Sequence, residues 1–191
     1  MWQLLVAILV MLVGAQIVLR PLFARRISVV LWGIVLLLAG RSVYLTVMQY
    51  RVWESAGGLS RYLLPPYRGI GYFISYSIFH HWGPYLVSGV FAVLFYYGAR
   101  WYNKKHGERF FEREEPVAGA LAFLIVGWPG VVVYVIAFVA VFVLASIIAT
   151  LIRGKAFRLS PYYFWLPVAI FVILIDALIL YQTWWWSLLK L

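Results

Sequence analysis

VAGALAFLIVGWPGVVVYVIAFVAVFVLASIIATLI, residues 117–152, runs for 36 positions without a charge. As one helix it would extend about 54 Å at 1.5 Å per residue. The hydrocarbon core of a bilayer is only about 30 Å thick. Gly127-Trp128-Pro129-Gly130 inside it supplies a turn. The reading is therefore a short helix ending near Trp128 and a long one over Val131 to Ile152, both in lipid.

The composition agrees. The chain has 191 residues, 65% hydrophobic and 12% charged, with mean hydropathy +0.93. A soluble domain carries about a quarter charged residues. Too few charges remain to cover a water-facing surface, so the fold class expected is an all-α polytopic membrane bundle forming one domain over 1–191. Net charge is +10, but the cations cluster at the ends of apolar runs, as the positive-inside rule expects. The bilayer is therefore the expected partner, together with other membrane subunits, and nucleic acid is not. No cysteine is present, which excludes thiolate metal sites, disulfides and cysteine catalysis. No cofactor is predicted.

Further apolar runs cover Trp2 to Leu19, Ile27 to Tyr50, and about Tyr162 to Gln182, with Trp184-Trp185-Trp186 as an interfacial aromatic belt. The first run has no basic residues ahead of it, so it reads as a retained helix and not a signal peptide. Ile70 to Ala99 is ambiguous because it holds His80-His81-Trp82-Gly83-Pro84. If that segment is a turn, the bundle has seven helices; if not, six. In the six-helix topology the inner loops are 20–26, 100–116 and 153–158. In the seven-helix topology 51–69 replaces 20–26. Either way the inner loops carry eleven Lys/Arg, so charge does not separate them. Both place 100–116 in the cytoplasm, and the membrane expected is a prokaryotic cytoplasmic (inner) one.

The residues 100–115, RWYNKKHGERFFEREE, hold four of the chain's six acids. Glu108, Glu112 and Glu115 are spaced to share one helix face, beside Arg109 and Arg113. Such a cluster is a solvated juxtamembrane helix, a docking surface built from Lys104, Lys105, Glu108, Arg109, Glu112 and Glu115, or a site of acid chemistry. Asp176 lies near the middle of the last span, where an acid costs at least about 2.5 kcal/mol and calls for a partner or a function. Arg41 matches its depth in the six-helix topology, so an Arg41–Asp176 ion pair is expected. The alternative is a proton or ion pathway through Asp176. His80 and His81 are adjacent and point about 100° apart on a helix, which ill suits one shared metal. No P-loop, GxGxxG or HExxH motif is present.

From Leu59 onward the layout resembles the membrane core of type IV prepilin peptidases. The matching features are Leu63-Leu64-Pro65-Pro66, the HHWGP segment, the basic connection, VAGALAFLIVGW, Arg153-Gly154-Lys155 and Ser160-Pro161-Tyr162. Counting back from Gly127-Trp128, the family's second catalytic aspartate falls on Glu115, without the glycines around it. The family's first catalytic aspartate belongs several residues before Pro65, and no acid stands in that place. The resemblance implies an inactive relative, or a peptidase-like enzyme that uses Glu115. The sequence reading favours a non-catalytic membrane subunit or scaffold. A peptidase-like protease and a small transporter using Asp176 are the alternatives.

Overall fold

The structure is a computed structural model that describes residues 2–55, 58–153, 159–183 and 186. Every regular element among them is helical: α1 (Trp2–Val18), α2 (Arg20–Ser55), α3 (Ile70–Ser77), α4 (Gly83–Lys105), α5 (Glu115–Val126), α6 (Gly130–Arg153) and α7 (Trp165–Leu178). Four stretches are long and apolar enough to cross a membrane: Arg20–Ser55, Ile70–Lys105, Gly130–Arg153 and Pro161–Leu178. Two shorter apolar helices, α1 and α5, complete an all-helical membrane protein.

The GWPG turn is where the sequence puts it. Gly127 closes α5 at φ 70 and ψ 168, a backbone region essentially restricted to glycine, and α6 begins at Gly130. The HHWGP segment is not a turn. Pro84 has no N–H to offer the His80 carbonyl, and the chain accommodates this with one π turn over Ile78–Trp82, in which the Gly83 N–H reaches the Ile78 carbonyl. The helix therefore continues from Ile70 to Lys105. Pro21 acts similarly between α1 and α2. The chain bends at Leu19, while Leu19 N–H···O Ala15 (2.9 Å) and Phe23 N–H···O Leu19 (2.8 Å) bracket the bend.

α5 is the hub. It packs against α2, α4, α6 and α7, most closely against α4, and ten of its twelve residues are buried. Its Ala118-Gly119-Ala120 run lets helices approach at short range, the usual device where lipid replaces water and close packing drives association. A β-carbon on Gly119 would lie 2.3 Å from Phe95 Cε1. Phe95 in turn meets Phe123 and Trp165 at ring-centroid distances of 5.4 and 4.8 Å. Tyr134, on α6, donates its hydroxyl to the Trp165 carbonyl (3.0 Å). α1 packs on α7. The far end of α2 forms a second, smaller core, where Trp53, Leu64 and Phe73 are buried together.

Two sets of contacts mark the ends of the bundle. At one, Arg20 meets Glu112 and Glu115 meets Ser160. At the other, Ser42 Oγ donates to the His81 carbonyl (3.0 Å) and Trp128 N–H to the Pro84 carbonyl (3.1 Å). From Arg20 to Arg41 is 21 residues of α2, or about 32 Å, close to the thickness of a hydrocarbon core. α5, at twelve residues or about 18 Å of helix, is shorter than that distance.

Candidate functional site

The 100–116 connection is not one continuous helix. α4 ends at Lys105, Gly107 and Glu108 take φ 67 and 58, and α5 starts at Glu115. Glu108, Glu112 and Glu115 therefore do not share a helical face. The termination is local chemistry, a side chain competing with helical bonding for backbone groups. Asn103 Oδ1 accepts from the N–H groups of Phe110 and Phe111 (both 3.0 Å), and its Nδ2 donates to the Phe111 carbonyl (2.9 Å). The Glu108 N–H reaches back to the Asn103 carbonyl (2.8 Å). Asn103→Ala removes three side-chain hydrogen bonds. We expect a loss of about 1–3 kcal/mol, read as faster proteolysis at residues 106–114; unchanged cleavage would show that the loop holds without it.

Glu115 is the inner anchor. Its side chain is 1% exposed. Oε1 accepts from Ser160 Oγ (2.6 Å) and the Tyr162 N–H (3.0 Å), and Oε2 accepts from the Glu112 N–H (3.0 Å). Burial raises its carboxyl pKa above the ordinary value, while the Ser160 hydroxyl and the two backbone donors pull it down and nearby Glu112 raises it. One carboxylate thus joins the connection before α5 to the one before α7. The expectation that Glu115 belongs to an outward docking set is corrected: its oxygens are spent on its own chain. Glu112 is half outward, paired with Arg20 at 2.8 Å, with side chains 41% and 45% exposed. The Arg20 guanidinium also lies 5.5 Å from the Tyr162 and Tyr163 ring centres. Gln16, 1% exposed, donates to the Tyr162 carbonyl (2.6 Å) and ties α1 to the same end.

Lys104, Lys105, Glu108 and Arg109 are exposed. Beside them lie Trp101 and Phe110, also exposed, with Lys105 Nζ 5.4 Å from the Trp101 ring centre. A cavity of about 360 Å³ opens between this tip and Ser160, lined by Glu108, Arg109, Phe110, Phe111, Glu112 and Glu115 among others.

The expected Arg41–Asp176 ion pair is replaced by two separate contacts. Arg41 donates to the Tyr85 hydroxyl, and Asp176 accepts from the Trp186 indole N–H. Equal depth does not make neighbours: α2 packs on α5, whereas α7 packs on α1, α5 and α6. Asp176 is also not mid-span but in the last turn of α7, two residues before its end. Trp186 is 1% exposed, folded onto Asp176 and not laid out as a belt; Trp184 and Trp185 lie outside the described residues, as do Lys155 and Arg158. His80 stacks on Tyr76 at 4.0 Å. Among the described residues no three His, Cys, Asp or Glu side chains converge as metal ligands.

The sequence reading gave no site role to Gln16, Asn103 or Ser160, which build this end of the bundle. The available signals were a glutamine inside an apolar run and an asparagine one turn ahead of His106-Gly107. No family model, curated protein or solved structure matches the chain.

Proposed function

We propose that this chain is a non-catalytic polytopic subunit or scaffold of a larger assembly in a prokaryotic cytoplasmic membrane, docking through the 100–116 connection. The observation that carries the reading is the construction of that connection. Asn103 and Glu115 hold its backbone from inside, while Lys104, Lys105, Glu108 and Arg109 face outward. A rigid, charged and aromatic tip loses little conformational freedom on binding.

The six-helix topology belongs to this proposal. Its support is the Arg20–Glu112 contact and the continuous helix through HHWGP. Both suit 20–26 and 100–116 on one side of the membrane. The peptidase-like and transporter readings are less well supported, because Glu115 and Asp176 are both engaged by their own chain.

The test is co-purification in mild detergent. The wild-type chain should carry a stoichiometric partner. The triple variant Lys104→Glu, Lys105→Glu, Arg109→Glu should lose it by tenfold or more while remaining monodisperse. A wild-type chain that purifies alone from its native membrane would overturn the proposal.

A further inference from the structure

A groove of about 800 Å³ runs between α2 and α4, with Val117, Ala120 and Leu124 of α5 as its floor. That volume lies within the range of ligand pockets, roughly 300–1,000 Å³. Its walls are apolar over most of their length. It extends along α4 from Tyr85 to Tyr97 and along α2 from Ser28 to Ser42, about 18 and 21 Å of helix. One leaflet of hydrocarbon is about 15 Å, half of a 30 Å core.

The groove's two ends differ. At the Tyr85 end, half-buried Arg41 donates to the Tyr85 hydroxyl, with its guanidinium carbon 5.6 Å from that ring's centre. Arg41 has no acidic partner among the described residues. Ser42 lines the same end, and Ser42 bonds the carbonyl of His81, whose Nε2 is buried without a hydrogen-bond partner. Arg41 stands about 32 Å from Arg20 along α2, which sets it at the level of lipid headgroups when Arg20 is at the opposite surface. At the other end, Tyr96 accepts from Arg100 (2.5 Å), but this arginine is exposed.

From this geometry we infer that the groove is a binding site for one anionic phospholipid, its phosphate on Arg41 and one acyl chain lying along α4 to Tyr96. An arginine without an acidic partner, at the end of an apolar trough slightly longer than one leaflet, is complementary to an anionic headgroup on a hydrocarbon chain. Guanidinium–phosphate contacts are also charge-assisted and strong for their size. This goes beyond docking at 100–116, because the groove opens at the opposite end of the bundle.

The experiment is native mass spectrometry of the full chain, delipidated in detergent and then offered dioleoylphosphatidylglycerol or dioleoylphosphatidylcholine. The chain should retain one phosphatidylglycerol, at least about tenfold tighter than phosphatidylcholine. Arg41→Gln should abolish that preference, and Arg100→Gln should leave it intact. Gly89→Leu, which places a side chain in the groove, should lower occupancy by both lipids. Circular dichroism and gel filtration establish that each variant is folded. Equal retention of the two lipids, an unchanged preference in Arg41→Gln, its loss in Arg100→Gln, or a co-purifying protein helix displaced by Gly89→Leu would each overturn the assignment.

Discussion

Glu115→Ala should lower the apparent melting temperature in detergent by roughly 5–15 °C, the consequence of about 2–4 kcal/mol. The carboxylate accepts three hydrogen bonds, and truncation leaves the Glu112 N–H and the Ser160 hydroxyl without their acceptor and the Tyr162 N–H with only its longer bond to Ser160 Oγ (3.3 Å). Glu115→Gln separates charge from geometry. Its amide keeps one acceptor oxygen but turns an N–H₂ toward another donor, so a loss of about 1–2 kcal/mol is expected. Ser160→Ala removes one donor to Glu115 and the longer of the two acceptors of the Tyr162 N–H, and should cost less than Glu115→Ala. A Glu115→Ala chain that melts with the wild type would show that the two connections are held by something else. The same variant bears on chemistry: a peptidase-like activity surviving Glu115→Gln would reject any catalytic role for this acid.

Gly119→Ala should be the most damaging single-methyl change in the bundle. The added carbon would sit 2.3 Å from Phe95 Cε1 and 2.9 Å from Cζ, and the ring has little room to yield because Phe123 and Trp165 pack against it. Overpacking of this kind costs about 1–3 kcal/mol, and α4 must move away from α5 or the ring must leave its cluster. Phe95→Leu removes the offending ring atoms. The double variant Gly119→Ala, Phe95→Leu should therefore be more stable than the two single losses predict when added. Strict additivity in that cycle would reject the close approach.

What the sequence made legible follows from which signals are local. The GWPG turn could be read because glycine and proline act on their own backbone and because 36 uncharged residues exceed one membrane thickness. HHWGP contains the same residue types and was open to the same reading. There the missing proline N–H is absorbed by a π turn, a choice set by packing of the helix and invisible in the letters. The i, i+4, i+7 spacing of Glu108, Glu112 and Glu115 presupposed a helix that Asn103 and Gly107 had already ended. Depth along a span located Arg41 and Asp176 vertically. It carried no information about which helices surround α5, and that lateral arrangement decides their partners.

The 100–115 segment has five cations and four acids in sequence, almost a balance. In the folded chain Glu112 is matched by Arg20 and Glu115 is drawn inside, so Glu108 and Glu114 are the acids left toward the surface beside Arg100, Lys104, Lys105, Arg109 and Arg113. The tip therefore projects a positive field that its composition conceals. Fields of that sign draw acidic surfaces from a distance and are screened within about 8 Å at physiological ionic strength. Whatever meets this end of the bundle should arrive faster in dilute salt than in concentrated salt, and should itself be acidic.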